Sequence, residues 1–532
     1  TNMYFKKTPV TKVFFKAIVT LRLFFSLLHT GLSQGVQIDD TFGEDGFFKF
    51  SFQHPIVICT GALIQKDDKI IISGFNYSDR QLLFIRITEN GNIDSTYGEN
   101  GMVTISRNTN LRIEDMNAVA QNEDGSIIAG LDCYPYDNYH PVEPTLIKLN
   151  KFGQIDSTFG ENGFAKQFVS ESNYMATLND IFIQSDNSIL FCGYFNDFWN
   201  SDINHFFIGR CLPNGSPDPN FGNNGIVTEY FDGSNCEAQV IFQQHDSKIL
   251  LGGKLNNDFA VVRYNHFGML DTTFANGGKF STNVANAYQL NAIAELKDNT
   301  IILAGYGLYL GNQDCSPYYR NLLVGLTQDG VLSGDFSTSG YNQYLAGSCV
   351  SEANNLLIQS DNKILVGGSG GEPFGNGPYK LTLSRLDEHG ILDESIGDDG
   401  YENFHSGLEK NNCVTLTLQS DGKIIMVGDA SSEGHSYLIA MRADAGLIPP
   451  GHTLVEHEQA EIWSYDKTIY ITNTTTTDVN CHLFNALGQV LFSFTSPPGQ
   501  STYNLPELPD GWYVLSLNMP YGLVTHKLLF TN

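Results

Sequence analysis

Two short motifs recur along most of this chain, and their spacing restricts the fold more than any other feature. The first, best written I-D-S-T-F-G-E-N-G, occurs at Ile38–Gly46, Ile93–Gly101, Ile155–Gly163, Pro217–Gly225, Leu270–Gly278, Leu332–Gly340 and Leu392–Gly400. The sixth copy, LSGDFSTSG, is the most degraded. The second motif, best written L-Q-S-D-G-K-I-I-x-x-G, carries its turn aspartate at Asp68, Asp124, Asp186, Asp246, Asp298, Asp361 and Asp421. Successive copies are 56, 62, 60, 52, 63 and 60 residues apart, so the period is close to sixty. Length alone would divide 532 residues into three or four domains, but the repeat joins most of them into one.

The chemistry of each unit is β. In Q-S-D-G-K-I an Asp-Gly or Asp-Asn pair stands between two apolar runs, the pattern of a hairpin with a two-residue type I′ turn. The first motif pairs Asp with Ser or Thr, which bond nearby amides and make turns, and its Phe or Tyr is a candidate core plug. One more apolar segment, such as Leu83–Ile87, Phe259–Tyr264 or Tyr437–Arg442, separates each hairpin from the next first motif. The unit is therefore four short strands. Such a unit cannot bury both faces alone, and seven of them suit radial closure into a seven-bladed β-propeller spanning 34–447 better than a linear solenoid. The chain enters on Phe47–Phe50 and leaves on Tyr437–Met441, so the first strand is expected to complete the last blade and remove the open edge.

The flanks differ. Lys6, Lys7, Lys12 and Lys16 precede an apolar stretch from Ala17 to Leu28, with Gly31 and Ser33 at −3 and −1 of a cleavage site before Gln34, which reads as a signal peptide over 1–33. After Gly446 the repeat stops. Pro449-Pro450-Gly451 opens a linker over 448–461, and alternating segments over 462–532 point to a small Ig-like β-sandwich. The expected strands are Ile469–Ile471, Val479–Phe484, Val490–Phe494, Trp512–Leu517 and Leu523–Leu529.

The repeats resemble the delta-60 repeat of secreted bacterial proteins, over about Val36 to Leu447; the resemblance implies a β-propeller and no particular activity. The C-terminal segment resembles the Por sorting domain of type IX secretion cargo in Bacteroidetes. The residues that carry this are Phe484–Val490 (FNALGQV), Leu508–Val514 (LPDGWYV) and Thr525–Phe530 (THKLLF). The usual "PNP" at the start of that domain is replaced by Ile471-Thr472-Asn473-Thr474. The resemblance assigns the sorting signal to Gly488, Leu508, Pro509, Gly511, Tyr513 and Lys527. It implies passage by the type IX machinery, through the periplasm, to the outer-membrane surface or the medium.

Charge excludes some functions. Lys plus Arg number 30 against 58 Asp plus Glu, and a net charge of −28 repels nucleic acid and anionic lipid. No stretch reads as a transmembrane span of the mature chain. Nine cysteines lie far apart with no C-x-x-C pair; most read as small core residues, with room for one or two disulfides.

Catalytic motifs are sparse. Gly367–Gly371 matches G-x-S-x-G, but no helix follows to build a nucleophile elbow, and no H-E-x-x-H zinc motif occurs. No catalytic or metal residue is assigned. Acidic turns such as Gly43–Gly46 and Gly397–Gly400 offer weak calcium ligands without the D-x-D-x-D-G spacing of a built loop. The most aromatic inserts are Cys133–Pro144, Tyr194–Phe206 and Tyr306–Asn321, each following the second hairpin strand of its unit, so all three should emerge on one face. Tyr134, Tyr136, Trp199, Tyr318 and Tyr319 are the candidate ligand contacts, since rings supply area for stacking on a glycan or a protein. The expected function is a secreted or cell-surface binding or scaffold module. The alternative is a propeller hydrolase or lyase acting on extracellular polysaccharide, which would need paired carboxylates converging on the channel.

Overall fold

The structure is a computed structural model. It describes residues 36–530 apart from short stretches, the longest being 136–141, 168–173, 198–202, 310–317, 372–378 and 445–459. The expected leader and most of the linker lie outside the described residues.

Six sheets of four antiparallel strands follow one another from Val57–Ile64 to Tyr401–Phe404. A seventh contains Lys410–Leu418, Ile424–Ser432 and His435–Asp444. Its fourth place is filled from the other end of the chain: Phe47–Phe52 pairs antiparallel with His435–Asp444, from Phe47 opposite Met441 to Phe52 opposite Ser436. Each sheet's first strand touches the first strand of the next, and Lys410–Leu418 touches Val57–Ile64, so seven first strands surround a channel. The ring is a propeller closed by its own N-terminal strand, as the pattern predicts. Between the sheets lie continuous apolar clusters, for example Phe48, Ile70, Ile72, Ile425 and Leu438 across the closure.

The hairpin turns differ from type I′. Asn122 pairs with Ser126 and the Gly125 amide donates to the Asn122 carbonyl, which leaves a three-residue loop with one left-handed residue. That residue is Gly125, Asn187, Ser247, Asn299, Asn362 or Gly422. The preceding Asp accepts the amide two residues on, as Asp124 does from Ser126 at 2.8 Å, and this Asx bond favours a type I turn with a bulge over the primed turn. In the first repeat Asp67 holds that place, and Asp68 is the left-handed residue at φ +58°.

The first motif latches neighbouring sheets. One carboxylate oxygen of its Asp makes the expected turn: Asp271 Oδ1 accepts from the Thr273 amide at 3.1 Å and hydroxyl at 2.6 Å. The other oxygen pairs with an Arg eight residues earlier on the third strand, as in Arg86–Asp94, Arg210–Asp218, Arg263–Asp271 and Arg385–Asp393, at 2.7 to 2.9 Å. Arg442–Asp39 repeats this across the closure at 2.9 Å, and Lys148–Asp156 is a looser version at 3.4 Å. The guanidinium also lies over the motif's ring, Arg263 at 4.4 Å from the Phe274 centroid. A third contact leaves the sheet, since Arg86, Arg210, Arg263 and Arg442 each donate to a carbonyl in the next repeat's turn, at Lys151, His266, Gln328 and Glu89.

Backbone bonds run alongside, such as the Gly222 amide to the Phe267 carbonyl at 2.9 Å. The motif ring packs on a glycine of that same turn. Gly330 has φ +79°, and a Cβ there would lie 2.5 Å from the Phe274 ring, so both backbone and space require glycine. The degraded copy omits the latch: Gly325 and Ser333 replace Arg and Asp, and Phe336 lies where a Gly325 Cβ would clash at 2.4 Å.

A second latch rings the channel. Every first strand carries a β-bulge near its middle. Four bulge residues, Asn117, Asn179, Asn291 and Asn354, donate to the carbonyls of Leu178, Ala238, Ala353 and Cys413 in the next sheet at 2.7 to 2.9 Å. Acids, Asp132 buried and Asp180 and Asp429 half-buried, accept in return. Asp132 takes the Leu178 amide at 3.0 Å, Asp180 the Ile241 amide at 2.8 Å and Asp429 the Cys59 amide at 3.2 Å. Burial pushes the carboxyls of Asp132 and Asp180 up to about 7 and that of Asp429 up to about 6.

Ala460–Tyr465, Thr468–Asn473 and Gly499–Asn504 form one further sheet, and Val490–Ser496, Val479–Asn485, Gly511–Met519 and Gly522–Phe530 another. The two share a cluster that includes Ile469, Ile471, Cys481, Leu483, Leu515 and Leu517. The strands Ala460–Tyr465 and Gly499–Asn504 are additions to the sequence expectation, because Gln500, Ser501 and Thr502 give the latter no apolar alternation. Seven cysteines are free and buried, whereas Cys349 is disulfide-bonded; Cys315 lies outside the described residues. Burial pushes the Cys413 thiol up to about 12, as befits a core residue.

Two outcomes follow from the closure and the latches. Truncation to residue 53 should abolish the cooperative thermal transition, whereas truncation to residue 35 should leave it unchanged; equal melts for the two would contradict the closure. The two sets of aspartates also set opposite limits on pH stability. Burial raises the Asp271 carboxyl, but the Thr273 hydroxyl and amide, Arg263 and Lys248 outweigh it and hold it near 2; bonds from Thr158 likewise hold Asp156 low. Such groups stabilise above their unfolded pKa of about 4, and that stability is lost as pH falls below it. Asp132, Asp180 and Asp429 are raised, so their contribution is full below about 4 and is lost as pH rises through about 6 to 7. The melting temperature should therefore peak between about pH 4 and 6, and Asp132→Asn with Asp429→Asn should flatten the alkaline side. A higher melting temperature at pH 8 than at pH 5 would refute this assignment.

Candidate functional site

The two motifs turn at one end of the sheets, and the inserts leave from the other, because every second strand ends there. On this insert-bearing face the first strands meet the second strands at a common level just before each bulge. The opposed pairs are Ile58–Phe75, Asp115–Asp132, Thr177–Tyr194, Glu237–Lys254, Gln289–Tyr306, Glu352–Ser369 and Asn412–Asp429. Polar and aromatic side chains thus dominate one level around the channel. Glycine precedes the second-strand member in six of the seven, since the bulge drives a first-strand carbonyl into the place a Cβ would fill, 1.7 Å away at Gly428.

Asp115 and Asp132 are the carboxylate pair that a hydrolase would require. Asp132 is buried, with one oxygen bonded to the Leu178 amide and the other to Asn117 Nδ2 at 3.1 Å. Asp115 accepts from the Tyr77 hydroxyl at 2.6 Å and the Met116 amide at 2.9 Å. Asp429 and Ser369 occupy the place of Asp132 in their own sheets, and each accepts an amide of the following sheet, Ser369 from Cys413 at 2.9 Å. The position is a repeated structural latch. This also explains the G-x-S-x-G match, because Ser369 is a buried strand residue whose hydroxyl donates to Asn412 Oδ1 at 2.7 Å. Among the described residues, no group of three or more His, Cys, Asp or Glu gathers as a metal site.

Of the sequence-derived ligand contacts, the two with described side chains, Tyr134 and Tyr319, lie in different sheets. Tyr134 belongs to the second sheet, with the Arg112 guanidinium 5.9 Å from its ring and Arg112 paired to Glu114 at 2.5 Å. Glu114 also binds Arg80 of the first sheet. Tyr319 belongs to the fifth sheet, on the third strand, Tyr318–Leu326. Tyr318 opens the same strand, though its side chain lies outside the description, as do Tyr136 and Trp199 entirely. Of the residues expected to form a sorting signal, Leu508 and Tyr513 are buried in the C-terminal cluster and Gly511 begins a strand. Lys527 lies opposite Val514, and Gly488 and Pro509 lie outside the described residues.

Tyr319 sits in a larger aromatic group. Its ring is 4.9 Å from Tyr306 and 5.4 Å from Tyr288, and Tyr288 is 5.8 Å from Tyr306. Tyr288 is the residue skipped at an extra register shift of the first strand, between Ala287 and Gln289. Glu352 of the sixth sheet lies close enough for its charge to raise the hydroxyls of Tyr306, Tyr319 and Tyr379 beyond the effect of their burial. Burial raises the Glu352 carboxyl itself. These rings are half-buried. Tyr288, Tyr379 and Glu352 escape a search of the inserts because they lie in or beside strands, whereas Tyr306 opens the third insert, Tyr306–Asn321. The available signal is Gly305-Tyr306, a ring at the channel level where the third sheet has Gly193-Tyr194.

Residues 184–221, 244–274 and 359–395 match a family model described as "Domain of unknown function (DUF5122) beta-propeller". No curated protein matches the sequence. Among solved structures, virginiamycin B lyase of Staphylococcus aureus is similar at 9% identity over 74% of this chain and 98% of its own, with a TM-score of 0.40. The α-L-arabinofuranosidase Arb93A of Fusarium graminearum is 10% identical over 75% of this chain and 97% of its own, at 0.38. Prolyl oligopeptidase B of Galerina marginata is 8% identical over 80% and 56%, also at 0.38. Likenesses of that level carry no inference about activity. The closed order of four-stranded sheets identifies a β-propeller, and three of its segments are similar to that propeller family model.

Proposed function

We propose that this chain is an exported binding module that presents the insert-bearing face of its propeller to a ligand. The carrying observation is the cluster of Tyr288, Tyr306 and Tyr319, three half-buried rings within 6 Å of one another at the channel mouth, beside Glu352. The opposite face is occupied by the latches that hold the ring, which leaves the insert side free to vary. Rings at such a mouth supply contact area at little conformational cost, the chemistry of glycan or protein recognition. The hydrolase or lyase reading has its best carboxylate pair in Asp115 and Asp132, and the bonds described above commit both to inter-sheet contacts.

Export rests on the residues already named. The charged and apolar leader over 1–33 directs the chain to the periplasm, and the resemblance of 462–532 to a sorting domain directs it through the type IX machinery to the surface. Buried Leu508 and Tyr513 support a folded signal, since two of its residues hold the segment's core.

The test is a glycan and extracellular-protein array probed with the full chain and with Tyr306→Ala plus Tyr319→Ala. The double variant should lose at least about tenfold in affinity for any ligand found, with a melting temperature within a few degrees of the parent. Undiminished binding by the variant would place the ligand elsewhere and remove this reading.

A further inference from the structure

Six Asn-Gly dipeptides lie among the described residues, at Asn90, Asn100, Asn162, Asn214, Asn224 and Asn276, and all six asparagines are exposed. Their glycine amides differ. Those of Gly91, Gly101, Gly163, Gly215 and Gly225 donate to the carbonyls of Thr88, Tyr97, Phe159, Leu212 and Phe221 at 2.8 to 3.0 Å. Among the described residues the Gly277 amide, after Asn276, donates to no carbonyl. The cause is a shift within the first motif. In its second, third and fourth copies Asn100, Asn162 and Asn224 hold the left-handed place at φ +51° to +55°, and the glycine that follows bonds back to the motif's ring residue. In the fifth copy, TTFANGG, glycine itself takes that place at φ +63°, so the bonded amide is that of Gly278, to Phe274 at 2.7 Å, and the dipeptide stands one residue earlier. A Cβ at Gly277 would meet nothing within 4 Å, so the backbone there has room to turn.

We propose that Asn276 is a site of spontaneous deamidation, at which the folded chain converts one exposed amide into a carboxylate. The Gly277 nitrogen, once base has taken its proton, attacks Cγ of Asn276, the Cγ–Nδ2 bond breaks and ammonia leaves. The product is a cyclic imide. Water then adds to either of its carbonyls and leaves an ordinary aspartyl link or one that runs through the side chain, with nothing oxidised or reduced. A bonded amide is withheld from this chemistry, because its hydrogen bond must open before the nitrogen can lose its proton and turn toward Cγ. The link through the side chain lengthens the backbone between Phe274 and Lys279, in the turn that sets the Phe274 ring 4.4 Å from the Arg263 guanidinium. The modification therefore marks an aged chain beside one of its own latches.

The test holds the full chain in mildly alkaline buffer made with water enriched in heavy oxygen and follows the six dipeptides by peptide mapping and mass spectrometry. Label should enter at Asn276 at least about tenfold faster than at any of the other five, since each of those must first open locally. The same chain in denaturant supplies the comparison. With every amide released, the six rates should fall within about threefold of one another. Asn276→Gln should remove the fast label, because the longer side chain closes a larger and less favourable ring. A rate at Asn276 no greater than at Asn100 or Asn224 in the folded chain, or an unchanged preference for Asn276 in denaturant, would overturn the proposal.

Discussion

The ring is held by one contact repeated between neighbouring sheets: a buried guanidinium that pairs with a motif aspartate, covers the motif's ring and bonds a carbonyl of the following repeat. Arg263 shows it most fully, being 1% exposed and bonded to Asp271 and to the Gln328 carbonyl above Phe274. A lone buried guanidinium would be strongly unfavourable, so this residue is tolerable only where all three partners are in place. That requirement couples the first, third, fourth and seventh sheets each to the next. The seventh sheet meets it only through the chain's beginning, since Arg442 finds Asp39 and Thr41 there and the Glu89 carbonyl of the first sheet. Closure is thus built into the same interaction that joins adjacent repeats.

With one face committed to these latches, the other is released. The bulges and the Asn and Asp bonds around the channel fix the inner strands, and the side chains at the level above them differ from sheet to sheet. Phe75, Asp132, Tyr194, Lys254, Tyr306, Ser369 and Asp429 hold equivalent places with unlike chemistry. Two aspartates and the serine remain structural, whereas Tyr306 packs against the rings of Tyr288 and Tyr319. That contrast is the ground on which the proposed binding role rests.

Much of the fold is legible in the sequence because it is periodic. Seven copies of two motifs announce four-stranded units, and the apolar segments at the two ends announce the closing strand. The turn type is not legible because an Asp-Gly pair is shared by the primed turn and by the Asx-stabilised turn with a bulge, and only the bond from Ser126 to Asp124 distinguishes them. The motif aspartates read correctly as turn-formers, yet only one oxygen of each does that work. Their partners were visible too, since Arg86, Arg210, Arg263 and Arg385 each stand eight residues before an Asp. The aromatic cluster was half legible. Tyr306 and Tyr319 lie at the two ends of one insert, Tyr306–Asn321, whereas Tyr288, Tyr379 and Glu352 join them only because two sheets converge at the channel, which no local spacing encodes.

A double-mutant cycle at Arg263 and Asp271, read by chemical denaturation, tests whether the latch holds the ring. Arg263→Met should cost about 3 kcal/mol by leaving the Asp271 carboxylate with Lys248 alone, and the two changes together should cost clearly less than their sum. Losses within about 0.5 kcal/mol for Arg263→Met, or strict additivity, would show that the sheets stay together without it and would contradict the account.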